Sequence, residues 1–226
     1  IFLILLLTSE RLFTIIQVND RSLVLIGGLP MENTKERILL AALELFSKDG
    51  FEAVSVSDIA KNTGLTKGAL YKHYQNKRDI FNSILRRMEE NDAKNAAGFD
   101  LPESELKKDG EKYRRVSLSK LVEYSKMQFR YWAEDSFARP FRQMLTVEQF
   151  RSNEMKTLFA QYLSSGPLEY LSDIFKSIGI ENAEKNAAQL YAPMFLLLSV
   201  YDAAQDKEAV LGLLDGILDN FIGGIA

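Results

Sequence analysis

Between Asn33 and Asp79 one pattern recurs at short intervals: a polar residue that caps a helix, then apolar residues at helical spacing, then a stop. Asn33 and Glu36, Ser55 and Asp58, and Asn76 and Asp79 have the spacing in which a cap and an acid three positions on satisfy each other's amides, and Thr66 adds a fourth cap. Lys48-Asp49-Gly50 and Asn62-Thr63-Gly64 supply stops. A chain punctuated in this way cannot form one long helix. It predicts four helices joined by tight turns.

The apolar positions fix which faces pack. Ile38, Ala41, Ala42, Leu45 and Phe46 line the first helix, and Val56, Ile59 and Ala60 the second, which has room for about two turns. The third starts at Thr66 and runs to about Tyr74, with Leu70 and Tyr74 expected to pack on Ile59, Ala60, Leu45 and Phe46. Ile80, Phe81, Ile84, Leu85 and Met88 line the fourth. Two short helices across Gly64-Leu65 predict a helix-turn-helix.

Charge follows the same division. The net charge of the 226 residues is -3, yet Ser55 to Arg78 holds Lys61, Lys67, Lys72, Lys77 and Arg78 against Asp58 alone, a local +4. A basic stretch inside a helix-turn-helix points to a nucleic-acid phosphate backbone. With 5 prolines and 46% hydrophobic residues, the composition suits a helical globular protein. The absence of cysteine excludes disulfides and thiolate metal sites, and a lone His73 excludes a multi-histidine centre. A reducing, cytoplasmic setting fits, and no cofactor or metal is implied.

Ala41-Ala42, Leu45-Phe46, Gly50-Phe51, Val54-Ser55-Val56, Ile59-Ala60, Gly64-Leu65-Thr66-Lys67-Gly68-Ala69-Leu70-Tyr71, His73-Tyr74 and Asn76-Lys77 together resemble the signature of TetR-type regulators. The resemblance implies that Lys67, Gly68, Ala69 and Tyr71 face the major groove, with Lys67 donating to guanine and Ala69 touching a thymine methyl. It assigns Tyr71, Lys72, His73 and Lys77 to the DNA backbone. Thr66 opens that helix. Ser55 and Ser57 bracket the start of the preceding one, and each is open to a phosphate contact or, for Ser55, to a purely structural cap. Gly68 either weakens its helix or lets the backbone come close to the bases.

Residues 31–80 are therefore expected to read DNA and residues 81–226 to form an all-helical effector-binding and dimerisation domain. Residues 95–116, broken by Gly98, Pro102 and Gly110, read as a flexible connection. The resemblance implies a pocket for a small hydrophobic or amphipathic effector, whose binding releases a palindromic double-stranded DNA operator. Phe129, Trp132, Met144, Tyr162, Tyr191 and Phe195 are its candidate lining, each also open to an ordinary core role. Two apolar helices near the end, one containing Pro193 and one carrying Gly212 and Gly216, suggest a homodimer interface. Repression rather than activation is carried by the resemblance alone.

Residues 1–30 open on Ile-Phe-Leu-Ile-Leu-Leu-Leu and match neither a secretory signal nor a membrane span. Met31 precedes the first cap directly, so the preferred expectation is that the natural chain starts there and that residues 1–30 are an extension; an apolar arm packing on the body or a partner is the alternative. Phosphate-loop, nucleophile-elbow and His-Glu-x-x-His zinc patterns are absent, which disfavours an enzyme. A helical interaction module or membrane-surface protein would leave the basic helix-turn-helix unexplained.

Overall fold

Asn33, Ser55, Thr66 and Asn76 each hold extended backbone angles just before a helix, and each side-chain oxygen accepts an amide from the first turn. In the computed structural model these caps open α1 (Thr34–Asp49), α2 (Val56–Asn62), α3 (Lys67–Leu70) and α4 (Lys77–Gly98). The structure describes residues 33–99, 101 and 116–225, together with the backbone of 3–7, 12–19 and 22–26. The expected connection at 95–116 divides accordingly: its first turn belongs to α4, which stops at Gly98, whereas Pro102, the charged run Glu103 to Asp109, and Gly110 lie outside the described residues.

Only Ser55 forms the full reciprocal box, its hydroxyl accepting from the Asp58 amide at 3.2 Å while its own amide donates to Asp58 Oδ2 at 2.8 Å. At α1 the Asn33 side chain takes the Lys35 amide, and Glu36 turns instead to Arg87 of α4. At α4 the acid reaches one residue further back, Asp79 accepting from the Gln75 amide at 3.0 Å. The pairs read from spacing thus hold as caps while their acids take different partners.

From Val116 onward the helices are α5 (Leu118–Glu134), α6 (Ala138–Glu148), α7 (Asn153–Leu163), α8 (Ser165–Ser177), α9 (Ala183–Ala203) and α10 (Lys207–Ile225). α9 runs through Pro193, whose ring nitrogen has no hydrogen to donate within the helix. Every described element after Thr34 is a helix, as the composition predicts. Ahead of it stands a feature the all-helical expectation did not include: β1 (Leu3–Leu7), β2 (Leu12–Asn19) and β3 (Ser22–Ile26) form an antiparallel sheet in chain order, pairing Leu3 with Ile16 and Thr14 with Ile26. The expected start at Met31 and the preceding Gly27 to Pro30 lie outside the described residues.

Two apolar clusters organise the helices. The first joins Ile38, Phe46, Ile59, Leu70 and Phe81 of the head to Phe141, Met144 and Tyr162 of α6 and α7. The second joins Leu121 and Phe129 of α5 to Phe175, Leu190, Leu198 and Leu214 of α8, α9 and α10. Trp132 packs against both. Arg142, almost wholly buried, ties the clusters: its Nε donates to the Trp132 carbonyl at 3.1 Å and its Nη2 to both Asp202 oxygens at 2.9 Å. A domain boundary drawn at residue 80 falls inside α4, and the head core continues into α6 and α7.

Candidate nucleic-acid interface

The turn between α2 and α3 is fixed by backbone geometry. The Leu65 amide reaches back to the Ala60 carbonyl at 2.8 Å and the Gly64 amide to Lys61 at 3.2 Å, with Gly64 in the left-handed region at φ 67°. Such a helix end needs a residue without a Cβ penalty, which Gly64 supplies. It points Leu65 into the first cluster and sends the chain into the Thr66 cap, whose hydroxyl accepts from the Ala69 amide at 3.1 Å.

α3 is shorter than expected. Its α-helical part ends at Leu70, and the chain continues to Tyr74 as a tighter turn, the amides of Lys72 and His73 each bonding three residues back, to Ala69 and Leu70. One face is buried as predicted. Leu70 and Tyr74 lie in the first cluster, with the Tyr74 hydroxyl donating to the Lys35 carbonyl at 3.2 Å. Burial, reinforced by Glu36, pushes that phenol up to about 12, so it remains a donor.

The other face is free. Thr66, Lys67, Gly68, Tyr71, Lys72 and His73 are exposed and Ala69 half-buried, all within the stretch from Thr66 to His73. Tyr71 keeps 45% of its surface open, and the Lys67 ammonium stands 5.9 Å from its ring centre. No side chain within 4 Å would meet a Cβ at Gly68, so nothing inside the protein demands a glycine there.

Ser55 and Ser57 are exposed at the start of α2, but the Ser55 hydroxyl also donates to Asp58 Oδ2 at 2.6 Å, which, with the Ser55 amide, holds that carboxyl below its usual range. Lys77 departs furthest from expectation. Its ammonium donates to the Phe51 and Glu52 carbonyls at 2.6 and 3.3 Å and lies 4.3 Å from the centre of the Phe51 ring. It closes the head on itself rather than standing out from it. Spacing could not show this, because the carbonyls it finds lie 26 and 25 residues away.

The six candidate effector residues do not surround one space. Phe129 lies within the second cluster, Met144 and Tyr162 lie within the first, and Trp132 lies between them. The Tyr191 hydroxyl donates to the Leu163 carbonyl at 3.1 Å. Phe195, 45% exposed, borders a cleft of about 420 Å³ that also includes Lys48, Gln143, Val147 and Ser199; the other five do not border it. Packing rather than a common cavity accounts for most of this aromatic content.

Residues 38–84 match the sequence model described as "Bacterial regulatory proteins, tetR family". Over 60 residues the chain is 42% identical to the HTH-type transcriptional regulator AcrR of Shigella flexneri, an alignment covering 26% of this chain and 28% of that protein. The chain thus spans under a third of this relative's length. In fold it resembles a transcriptional regulator of Aquifex aeolicus at a TM-score of 0.60 and 18% identity, covering 86% of this chain and all of the other. It also resembles SmeT, the repressor of a Stenotrophomonas maltophilia multidrug efflux pump, at 0.55 and 20%, covering 85% and 92%; SmeT is known in complex with triclosan.

Proposed function

We propose that this chain, whose residues 38–84 are a TetR-family helix-turn-helix module, is a sequence-specific DNA-binding transcriptional regulator rather than an enzyme. The observation that carries the reading is the division of the α3 segment: Leu70 and Tyr74 are locked into the core, while Lys67, Tyr71, Lys72 and His73 form one open, basic and aromatic face. A helix-turn-helix presents the start of its second helix to the major groove. Gly68 and Ala69 would then approach base edges, Lys67 and Tyr71 read them, and Thr66, Lys72, His73 and the Ser55–Ser57 hydroxyls hold phosphates. Lys77 would join them only by giving up a carbonyl.

One short recognition segment reads few bases, so the active form is a homodimer on a palindromic site. α9 and α10 support this, since Leu196 and Leu213 leave 64% and 54% of their surface open and Phe195 and Val200, on α9 with Leu196, are exposed as well. Residues 31–80 would read the DNA and residues 81–226 sense a small effector and dimerise, binding of effector releasing the operator, by analogy with the repressor SmeT. No described helix is long and apolar enough to cross a membrane, which suits a regulator that works beside DNA in the cytoplasm.

Fluorescence anisotropy of the protein against duplexes from its own upstream region, at several salt concentrations, tests the reading. Selective binding that weakens steeply with salt and is lost in a Lys67→Ala, Tyr71→Ala double variant supports it. Equal, weak binding to every duplex by both proteins sinks it.

A further inference from the structure

Phe51, the second residue after α1, is held from several elements at once. Its amide donates to Oε1 of Glu148, the last residue of α6, at 3.0 Å. Its carbonyl accepts from the Lys77 ammonium of α4 at 2.6 Å. Its ring meets Phe46 of α1 and Phe81 of α4, with centres 5.2 and 4.9 Å apart. The Arg78 guanidinium stands over that ring at 4.8 Å and donates to Glu154 of α7 at 2.8 Å. Head and body thus grip opposite ends of one residue's backbone.

Around Phe51 the joint is apolar, Leu43 and Phe46 of α1 sharing the first cluster with Phe141 and Leu145 of α6. Apolar contact is non-directional, and helices packed by shape alone keep a scatter of about 15–20° in the angle at which they cross. A hydrogen bond to a shielded carboxylate is directional. Glu148 is 1% exposed, and its Oε1 occupies the place where any residue but glycine at position 50 would put a Cβ. Arg151, 3.5 Å away and half exposed, balances the charge from the surface. Were adhesion the whole task, an apolar side chain would do as well here, because burying a carboxylate is costly. What the carboxylate adds is direction.

We propose that Glu148 is a positioning residue: by fixing the Phe51 amide it sets the angle at which the head sits on the body, and through that angle the spacing of half-sites that two heads accept. It touches no DNA and acts through Phe51, whose carbonyl passes the constraint to α4 by way of Lys77. Only the consequence for half-site spacing rests on the reading of the chain as a dimeric regulator; the angle itself stands on the contacts at Phe51.

The chain has no cysteine, so spin labels at Lys61→Cys on α2 and Glu169→Cys on α8 report one head-to-body distance, in labelled chains diluted into unlabelled protein. Glu148→Ala should shift or broaden that distance by about 1–2 Å. Glu148→Gln, which keeps the acceptor oxygen, should retain the parent's distribution. Where circular dichroism shows that the Ala variant has lost its helices, Glu148→Asp, whose shorter side chain draws the oxygen back from Phe51, takes its place. An unchanged distance in the folded Ala or Asp variant, or equal broadening in Gln, overturns the proposal. On duplexes whose half-sites, selected with the parent, are moved apart by one or two base pairs, Glu148→Ala should discriminate spacing about fivefold less than the parent. Equal loss of affinity at every spacing marks a purely structural role and overturns the proposal as well. A parent that binds no duplex selectively sinks the regulator reading instead, and the distances alone then decide the role of Glu148.

Discussion

The backbone amide of Phe51 donates to Oε1 of Glu148 at 3.0 Å, joining the loop after α1 to the last turn of α6 across 97 residues of sequence. Glu148 is 1% exposed, and its carboxylate fills the space beside Gly50, where a Cβ would collide with it. Gly50 also sits at φ 86°, a conformation that L side chains rarely adopt. Gly50→Ala should therefore cost about 2–3 kcal/mol through strain and displacement of the carboxylate. Glu148→Ala, which orphans the amide, should cost about 1–3 kcal/mol. Urea unfolding measures both; an unaltered midpoint in Gly50→Ala would show that the loop relaxes without hindrance.

Lys72 is exposed on the face proposed to meet DNA. A lysine that neutralises one phosphate contributes about 0.9 to the slope of log affinity against log salt. Lys72→Ala should reduce the slope by that amount on every duplex, and leave the ranking of sequences unchanged. A change in ranking with an unaltered slope would move Lys72 from the backbone to the bases.

Burial, aided by Glu89, raises the Asp92 carboxyl to about 7. The sign of its contribution follows. Its folded value lies above its ordinary 3.8, so the folded protein holds the proton more tightly, and the stability gained below pH 4 is lost as pH rises toward 7. Asp92→Asn should remove a fall of at most about 1.4 kcal/mol per pH unit across that window and be the more stable protein at pH 8. Parallel pH profiles for parent and variant, read by urea midpoints, would contradict this. Tyr124, Tyr131 and Tyr162 face the same carboxylate but titrate far above the window.

Leu196 on α9 is the most open of the large apolar side chains near the carboxy terminus. Leu196→Glu should leave the fold of each subunit intact and, by burying a charge in the proposed interface, reduce the mass seen by light scattering toward that of a monomer, with a parallel loss of DNA affinity. A mass unchanged from the parent would place the interface elsewhere.

Much of the head was legible because it is built from local rules. Asn33, Ser55, Thr66 and Asn76 announce helix starts by chemistry that acts within three residues, and Gly64 announces a turn only a glycine adopts easily. What escaped the sequence depends on distant partners. Nothing near Lys77 reveals that its ammonium finds the Phe51 and Glu52 carbonyls, and nothing near Glu148 reveals the Phe51 amide. The candidate pocket was drawn from aromatic and methionine side chains, whose type cannot separate a lining from a core: Met144 and Tyr162 lie within the first cluster, whereas Asp92 and Asn95, each with a shielded polar atom, drew no notice as polar residues on an amphipathic helix. The strands at residues 3–26 escaped because short apolar runs carry no period that distinguishes strand from helix.

Lys77 gives the head a property beyond its shape. By clamping the first residue of α4 to the loop after α1, with Arg87 gripping Glu36 further along the same helix, it makes the head and the rod that carries it turn as one piece. Asp92 stands on that rod about 22 Å from Lys77. A tilt imposed at the Asp92 end would be delivered to the recognition segment as torque, re-aiming an intact reading head instead of melting it.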